Sequence, residues 1–166
     1  MSDPKQYLLR ADDIQNLPEV RIGHPLNPQS DIGIKRLSEV AGLQRLALRQ
    51  GRISPGKESF IYHAHQSEEE FLYILSGRGI AEIQDAEYEV GPGDFMGFPT
   101  PGVGHHLRNP FDEDLVYLMG GERRDIEIGE FPKINKWGIY SSQRQEAFFL
   151  DQAALQPFVP RILKEP

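Results

Sequence analysis

The chain has 166 residues and a mass of 18.9 kDa, which suits one domain with a hydrophobic core of its own. It contains no cysteine, and this excludes thiol nucleophiles, zinc fingers, iron–sulfur clusters and a disulfide scaffold. Its net charge of −7 argues against partners such as nucleic acid or an anionic membrane surface.

Residues 1–42 are expected to form an N-terminal arm that packs on a central domain. The segment is rich in proline, aspartate and asparagine, and its apolar stretches, such as residues 32–34, are short enough for one or two strands. It begins with a polar, acidic stretch that lacks the apolar region of a secretory signal. Together with the lack of cysteine, this predicts a cytoplasmic protein.

Residues 43–121 contain a succession of strand patterns separated by glycine and proline turns. The runs expected to be strands are residues 60–65, 71–75, 80–83, 88–90, 95–98, 105–108 and 115–119. Gly77 and Gly79 are expected to close a hairpin between two of them. No window has an apolar helical period over three turns, and no run is long enough to span a bilayer. The pattern predicts an all-β sandwich or barrel.

Residues 122–166 are expected to be a C-terminal extension that packs on the barrel or on a partner subunit. Two strands are predicted at 134–140 and 147–150, and one helical turn at 151–155. A homodimer is expected, because open sheets leave edges unpaired and because the outward faces of the strands are apolar.

Four of the five histidines fall in two clusters, His63-Ala64-His65 and His105-His106. Alternate residues of a strand share a face, so His63 and His65 lie about 7 Å apart along the strand and can converge on one ion. Only one residue of the His105-His106 pair can face the same interior. Glu70 follows after a short turn and adds a carboxylate. Three imidazoles and a carboxylate make a ligand set for a divalent transition metal.

Each of these signals has an ordinary structural explanation when it stands alone. A His-x-His on a strand is often a polar surface pair, an acidic run is usually a solvated turn, and a histidine doublet can be a hydrogen-bonded pair near a loop. Their joint position between glycine and proline turns, in a segment made only of strands, favours a metal site.

The same segment resembles the cupin superfamily, in particular its small single-domain members. The first cupin motif is a glycine, five residues, His-x-His, three or four residues, a glutamate, six residues and a glycine. This chain has it as Gly56, His63, His65, Glu70 and Gly77.

The second cupin motif is a glycine, five residues, Pro-x-Gly, two residues, a histidine, three residues and an asparagine. This chain has it as Gly93, Pro99, Gly102, His105 and Asn109.

Two spacings depart from the family pattern, since six residues separate Gly56 from His63 and two separate Pro99 from Gly102. Both departures lie in turns, where an extra residue is tolerated, and neither changes the ligand spacing. The resemblance covers residues 43–121, and it implies an antiparallel double-stranded β-helix, that is, a jelly-roll barrel, with N- and C-terminal arms.

The resemblance implies that His63, His65, Glu70 and His105 are the metal ligands. It favours His105 over its neighbour because only His105 has the three-residue gap to the asparagine, so His106 is expected to point outward or into a turn. Glu69 is the alternative ligand if the turn is one residue shorter. The ion expected there is a divalent transition metal such as Zn, Mn, Fe or Ni.

Such a site leaves coordination positions open for water, dioxygen or a chelating substrate. The function predicted is that of a metal-dependent cupin acting on a small polar metabolite, namely a sugar, a sugar phosphate or a hydroxy or keto acid. Isomerase, lyase and Fe(II) dioxygenase chemistry are all compatible with the ligand set. The alternative is a non-catalytic cupin that binds or senses a small molecule without a DNA-binding module of its own. A storage or structural role is disfavoured, because the four candidate ligands on neighbouring strands would then have no function.

Overall fold

The computed structural model describes residues 7–144 and 146–156, and these residues form antiparallel β-sheets with two short helices. The strands in chain order are β1 (Val20–Ile22), β2 (Ile32–Arg36), β3 (Leu46–Ile53), β4 (Ala64–His65), β5 (Glu70–Ser76), β6 (Gly79–Ile83), β7 (Ala86–Val90), β8 (Phe95–Phe98), β9 (His105–Arg108), β10 (Leu115–Glu122), β11 (Ile126–Phe131), β12 (Lys136–Ser141) and β13 (Glu146–Asp151). The helices are α1 (Ala11–Asn16) and α2 (Leu37–Val40), and single 3-10 turns lie at Pro132–Ile134 and Gln152–Ala154. The prediction of an all-β chain is confirmed.

The strands form three sheets. The large sheet has the order β1-β2-β3-β10-β5-β8, the small sheet has the order β7-β6-β9, and the C-terminal sheet has the order β13-β12-β11-β4. Part of the N-terminal segment is hydrogen-bonded into the large sheet, because β2 pairs with β3 along its whole length. The C-terminal segment supplies β11, which pairs with β4 next to the predicted ligands.

The expected hairpin at Gly77 and Gly79 is wrong. The strand before these glycines, β5, pairs with β10 and β8, whereas the strand after them, β6, pairs with β7 and β9. The two glycines therefore carry the chain from the large sheet to the small one. Gly77 adopts a φ of 74° at this crossing, and a Cβ atom there would lie 2.1 Å from the carbonyl oxygen of Asp114.

We expect Gly77→Ala to lower the free energy of unfolding by about 2–3 kcal/mol, because alanine is strained at positive φ and its methyl group would meet backbone. Urea unfolding measures this loss. Gly91→Ala is the matched control, since Gly91 lies in the turn after β7 and has open space where its Cβ would be. Equal midpoints for the two variants would contradict the prediction.

The barrel interior is filled by the inward side chains of the large and small sheets. On β5 the side chains alternate, with Leu72 and Ile74 buried while Tyr73 and Leu75 face outward and are partly exposed. Ile74 packs with further apolar side chains from both sheets. The fully buried members include Ile53, Leu107, Leu115 and Tyr117.

The outer face of the large sheet carries exposed apolar side chains, among them Tyr73, Leu75 and Phe95. These residues are not part of the core, and the expected homodimer stays a prediction. Among the described residues, neither helix has the length and apolar character needed to cross a membrane.

Candidate metal centre

Backbone pairing brings the two histidine clusters together. His63, just before β4, forms an isolated antiparallel bridge with His105, the first residue of β9. Each donates its backbone N–H to the carbonyl of the other, at 3.0 and 2.8 Å. His65 lies two residues further on and so shares a face with His63. Glu70 begins β5 after the intervening turn.

The structure gathers all four predicted residues into one cluster. One possible ligand atom from each of His63, His65, Glu70 and His105 lies within 4.8 Å of every other. Glu70 Oε2 lies 3.0 Å from His65 Nε2 and 3.3 Å from His105 Nε2. The ring of His63 completes the group, with its centroid 4.5 Å from that of His105 and 4.9 Å from that of His65.

The Nδ1 atoms of His63 and His105 have hydrogen-bond acceptors that fix the orientation of these two rings. His63 Nδ1 lies 2.6 Å from the carbonyl oxygen of Ile61, and His105 Nδ1 lies 2.9 Å from that of Val103. A carbonyl oxygen only accepts hydrogen bonds, so both Nδ1 atoms carry a proton and Nε2 is the ring nitrogen left to bind an ion. Two inward-facing Nε2 atoms beside a carboxylate are a donor set that fits a divalent transition metal.

The protonation states of the cluster follow from burial and from its own charges. Burial, together with the nearby His105, lowers the pKa of His63 to about 3, so its ring is neutral. Burial acts to raise the pKa of Glu70, but hydrogen bonds from His105 and His65 hold it well below its usual range. Burial acts to lower the pKa of His65, but the carboxylates of Glu127 and Glu70 raise it to about 10. An ion bound by His65 would replace the proton that faces Glu70, so its binding is expected to weaken as pH falls.

Aromatic rings form one wall of the cluster. Phe98 is buried and stacks on His105, with 3.8 Å between centroids and 9° between planes. Phe131, from β11, lies 6.1 Å from His63. The ring of Phe131 also lies 5.4 Å from that of His24, the fifth histidine, and 5.7 Å from that of Phe149. The apolar rings lower the local dielectric and strengthen the charge interactions of the cluster.

Two carboxylates beside the cluster were missed by the sequence analysis. Glu127 Oε1 lies 3.4 Å from His65 Nδ1, and Glu68 Oε1 lies 3.6 Å from the same atom. Burial raises the pKa of Glu68 to about 7. Glu127 is buried and comes from β11, a strand that the sequence analysis did not identify. No local signal marked it, because its proximity depends on the pairing of β11 with β4.

The two alternative ligand candidates lie elsewhere. The side chain of Glu69 is exposed and outside the cluster. His106 lies on the opposite face of β9, with Nε2 3.6 Å from Glu58 Oε2. Burial lowers the pKa of His106. The expected outward orientation of His106 therefore leads into a partly buried contact with Glu58 rather than into open solvent.

The chain is similar to a known protein family and to solved structures. The cupin domain family matches residues 50–121. A protein of Acidithiobacillus ferrooxidans described as a candidate sugar phosphate isomerase is 34% identical, with 98% of this chain and 100% of that chain covered and a TM-score of 0.87. A sugar phosphate isomerase from a cupin superfamily, from Silicibacter pomeroyi, is 22% identical, with 92% and 96% covered and a TM-score of 0.76.

A curated relative matches more narrowly. An uncharacterised protein of Methanocaldococcus jannaschii is 35% identical over 57 residues, which are 34% of this chain and 45% of that protein. The matched part thus spans less than half of the relative's length. The Acidithiobacillus protein, in contrast, is similar over almost the entire chain, and both histidine motifs fall within the matched cupin domain. The three antiparallel sheets are therefore those of a jelly-roll barrel, and the chain belongs to the cupin superfamily.

Proposed function

We propose that the protein is a metal-dependent isomerase of a small sugar phosphate, with His63, His65, Glu70 and His105 holding one divalent transition metal. The observation that carries the proposal is the convergence of four possible ligand atoms within 4.8 Å of one another in the barrel. His105 is buried and the other three side chains are half-buried, and a divalent cation is the partner that imidazole and carboxylate groups facing one point can share.

The substrate class rests on the relative from Acidithiobacillus ferrooxidans, which is described as a candidate sugar phosphate isomerase and is 34% identical. A divalent ion held by three neutral imidazoles and the carboxylate of Glu70 would keep a net positive charge, which attracts the oxygens of a hydroxy-carbonyl compound. The carboxylates of Glu68 and Glu127, beside His65 Nδ1, are not ligands in this set but reduce the positive charge of the surroundings.

The residues of the chain would prepare the site for this chemistry. When bound, the metal supplies a Lewis acid that polarises a substrate oxygen. Ile61 and Val103 hold the rings of His63 and His105 through their carbonyl oxygens. Phe98 covers one face of His105 and excludes water there, which strengthens the charge interactions.

We also propose a cellular location, a ligand and a partner for the protein. We propose a cytoplasmic protein, because the chain has no cysteine. We propose a small molecule as the ligand and a second copy of the chain as the partner, and we expect no nucleic acid, because the net charge is −7.

Metal analysis and a substrate panel test the proposal. Protein purified without a histidine tag and without added metal should contain close to one transition-metal ion per chain. It should interconvert a member of a panel of sugar phosphates, and His65→Ala should lose both the ion and the turnover.

Other outcomes would overturn the proposal in recognisable ways. A metal-free protein that takes up no added divalent ion would refute the metal site. Turnover of a hydroxy or keto acid, or consumption of dioxygen with Fe(II), would refute the sugar phosphate. A metal-bound protein that consumes nothing, while one panel member raises its melting temperature, would be a binding protein instead.

A further inference from the structure

One histidine of the cluster is held differently from the other two. His63 and His105 place their Nδ1 atoms against backbone carbonyl oxygens, at 2.6 and 2.9 Å. His65 Nδ1 is buried and makes no hydrogen bond among the described residues, and the acceptors that lie nearest to it are carboxylates. Glu127 is the nearer of these, at 3.4 Å, and its side chain is 8% exposed. Glu68 is at 3.6 Å and its side chain is 27% exposed.

Glu127 is itself fixed by the turn that follows His65. Its Oε1 accepts a hydrogen bond of 3.0 Å from the backbone N–H of Gln66, and its Oε2 accepts one from the hydroxyl of Ser67. The turn between His65 and Glu70 is thus tied to β11, which lies outside the matched cupin domain at residues 50–121. One buried carboxylate therefore contacts both a candidate ligand and the turn that leads to the next one.

We propose that Glu127 is a positioning residue that orients the ring of His65 and increases the metal affinity of the site. The inference rests on the metal site of the proposed function. A carboxylate beside Nδ1 keeps the proton on that atom, aims Nε2 at the ion and makes the imidazole a stronger donor. His63 and His105, whose partners are neutral carbonyls, gain less of this effect.

The main test compares Glu127→Gln with Glu130→Gln. Glu130 lies on the same strand, but its side chain faces the other way by strand alternation, so the same charge is removed without touching His65. Zn²⁺ affinity is measured by competition with a chromogenic chelator, and Co²⁺ absorption reports the ligand field. We expect Glu127→Gln to bind Zn²⁺ about 10–100-fold more weakly and to shift the Co²⁺ bands. Glu130→Gln should match the wild type in both.

A third variant separates ring orientation from fixing of the turn. Ser67→Ala removes the hydroxyl bond to Glu127 but leaves the carboxylate beside His65. It should keep most of the affinity. A loss in Ser67→Ala as large as in Glu127→Gln would overturn the proposal in favour of a purely structural role. A second Zn²⁺ ion in the wild type that Glu127→Gln loses would overturn it in favour of a cation held between Glu68 and Glu127.

A measurement on metal-free protein tests the contact independently of the proposed function. Nitrogen-15 NMR should show a slowly exchanging Nδ1–H proton on His65 in the wild type and in Glu130→Gln, and this signal should disappear in Glu127→Gln. If the wild type binds no metal, the proposed function fails. If the Nδ1–H signal of His65 survives in Glu127→Gln, the positioning role fails as well. If the wild type binds metal as tightly as Glu127→Gln does, only the positioning role fails.

Discussion

Glu70→Gln should remove the bound metal ion while the barrel stays folded. Glu70 is the anionic member of the cluster, and its Oε2 lies between the Nε2 atoms of His65 and His105 at 3.0 and 3.3 Å. The amide keeps the shape of the side chain but not its charge. We expect the metal affinity to fall by more than the roughly 10–100-fold typical of residues that only support a ligand. Isothermal titration with Zn²⁺ and elemental analysis measure this loss.

The melting temperature provides a second measure of the same loss. A ligand that binds only the folded state stabilises it, so added Zn²⁺ should raise the melting temperature of the wild type but not of Glu70→Gln. Circular dichroism of the metal-free variant shows whether the strands remain.

Glu69→Gln is the control for this prediction, because Glu69 is adjacent in sequence, exposed and outside the cluster. It should bind Zn²⁺ as the wild type does. If Glu69→Gln lost the metal and Glu70→Gln kept it, the carboxylate ligand would be the one that the sequence allows with a shorter turn, and the geometry described here would be wrong.

Strand alternation made much of the barrel predictable. The predicted runs 95–98 and 105–108 coincide with β8 and β9. Both are short, end at proline or asparagine turns and alternate inward and outward side chains, so local sequence contains the required information. The same alternation placed His63 and His65 on one face. It also placed His105 and His106 on opposite faces, but the choice between them came from the resemblance to cupins.

The sequence-based predictions that were wrong concern structure that depends on contacts between distant segments of the chain. The run 60–65 was expected to be one strand, but only Ala64 and His65 form β4. The preceding residues follow an irregular path, and Asn27 donates a hydrogen bond of 2.7 Å to the carbonyl of Phe60. A side chain from the N-terminal segment thus satisfies a backbone group that a strand partner would otherwise satisfy.

The residues around the four-residue cluster could not be predicted from the sequence for the same reason. His24 lies among Phe60, Phe131 and Phe149, with centroids 6.0, 5.4 and 5.4 Å away. These rings come from three distant parts of the chain, so no spacing links them. Glu127 could not be predicted either, because the sequence analysis identified no strand around it and its position beside His65 depends on the pairing of β11 with β4. Local patterns and the resemblance to cupins named the candidate ligands, whereas the groups that surround them depend on tertiary pairing.

Asn109→Ala is expected to produce the largest loss of stability among the substitutions considered. Asn109 is 1% exposed and closes the second cupin motif. Its Nδ2 donates to the carbonyl oxygens of Ile53 and Glu113 at 2.8 and 2.7 Å, and its Oδ1 accepts from the N–H of Phe111 at 3.1 Å. Alanine leaves these backbone groups without partners, at about 1–3 kcal/mol for each group that stays buried. We expect the free energy of unfolding to fall by about 4 kcal/mol.

Urea unfolding of the metal-free protein measures this loss, and two further variants identify its cause. Asn16→Ala is the matched control, because Asn16 makes a single exposed bond to the carbonyl of Asp12 and should cost less than about 0.5 kcal/mol. Asn109→Asp keeps the shape of the side chain but turns an acceptor toward the carbonyls of Ile53 and Glu113, so it should destabilise at least as much as alanine. If Asn109→Asp behaved as the wild type while Asn109→Ala did not, lost volume rather than lost hydrogen bonds would explain the effect. Because Asn109 lies outside the four-residue cluster, folded Asn109→Ala should still bind one Zn²⁺ ion per chain.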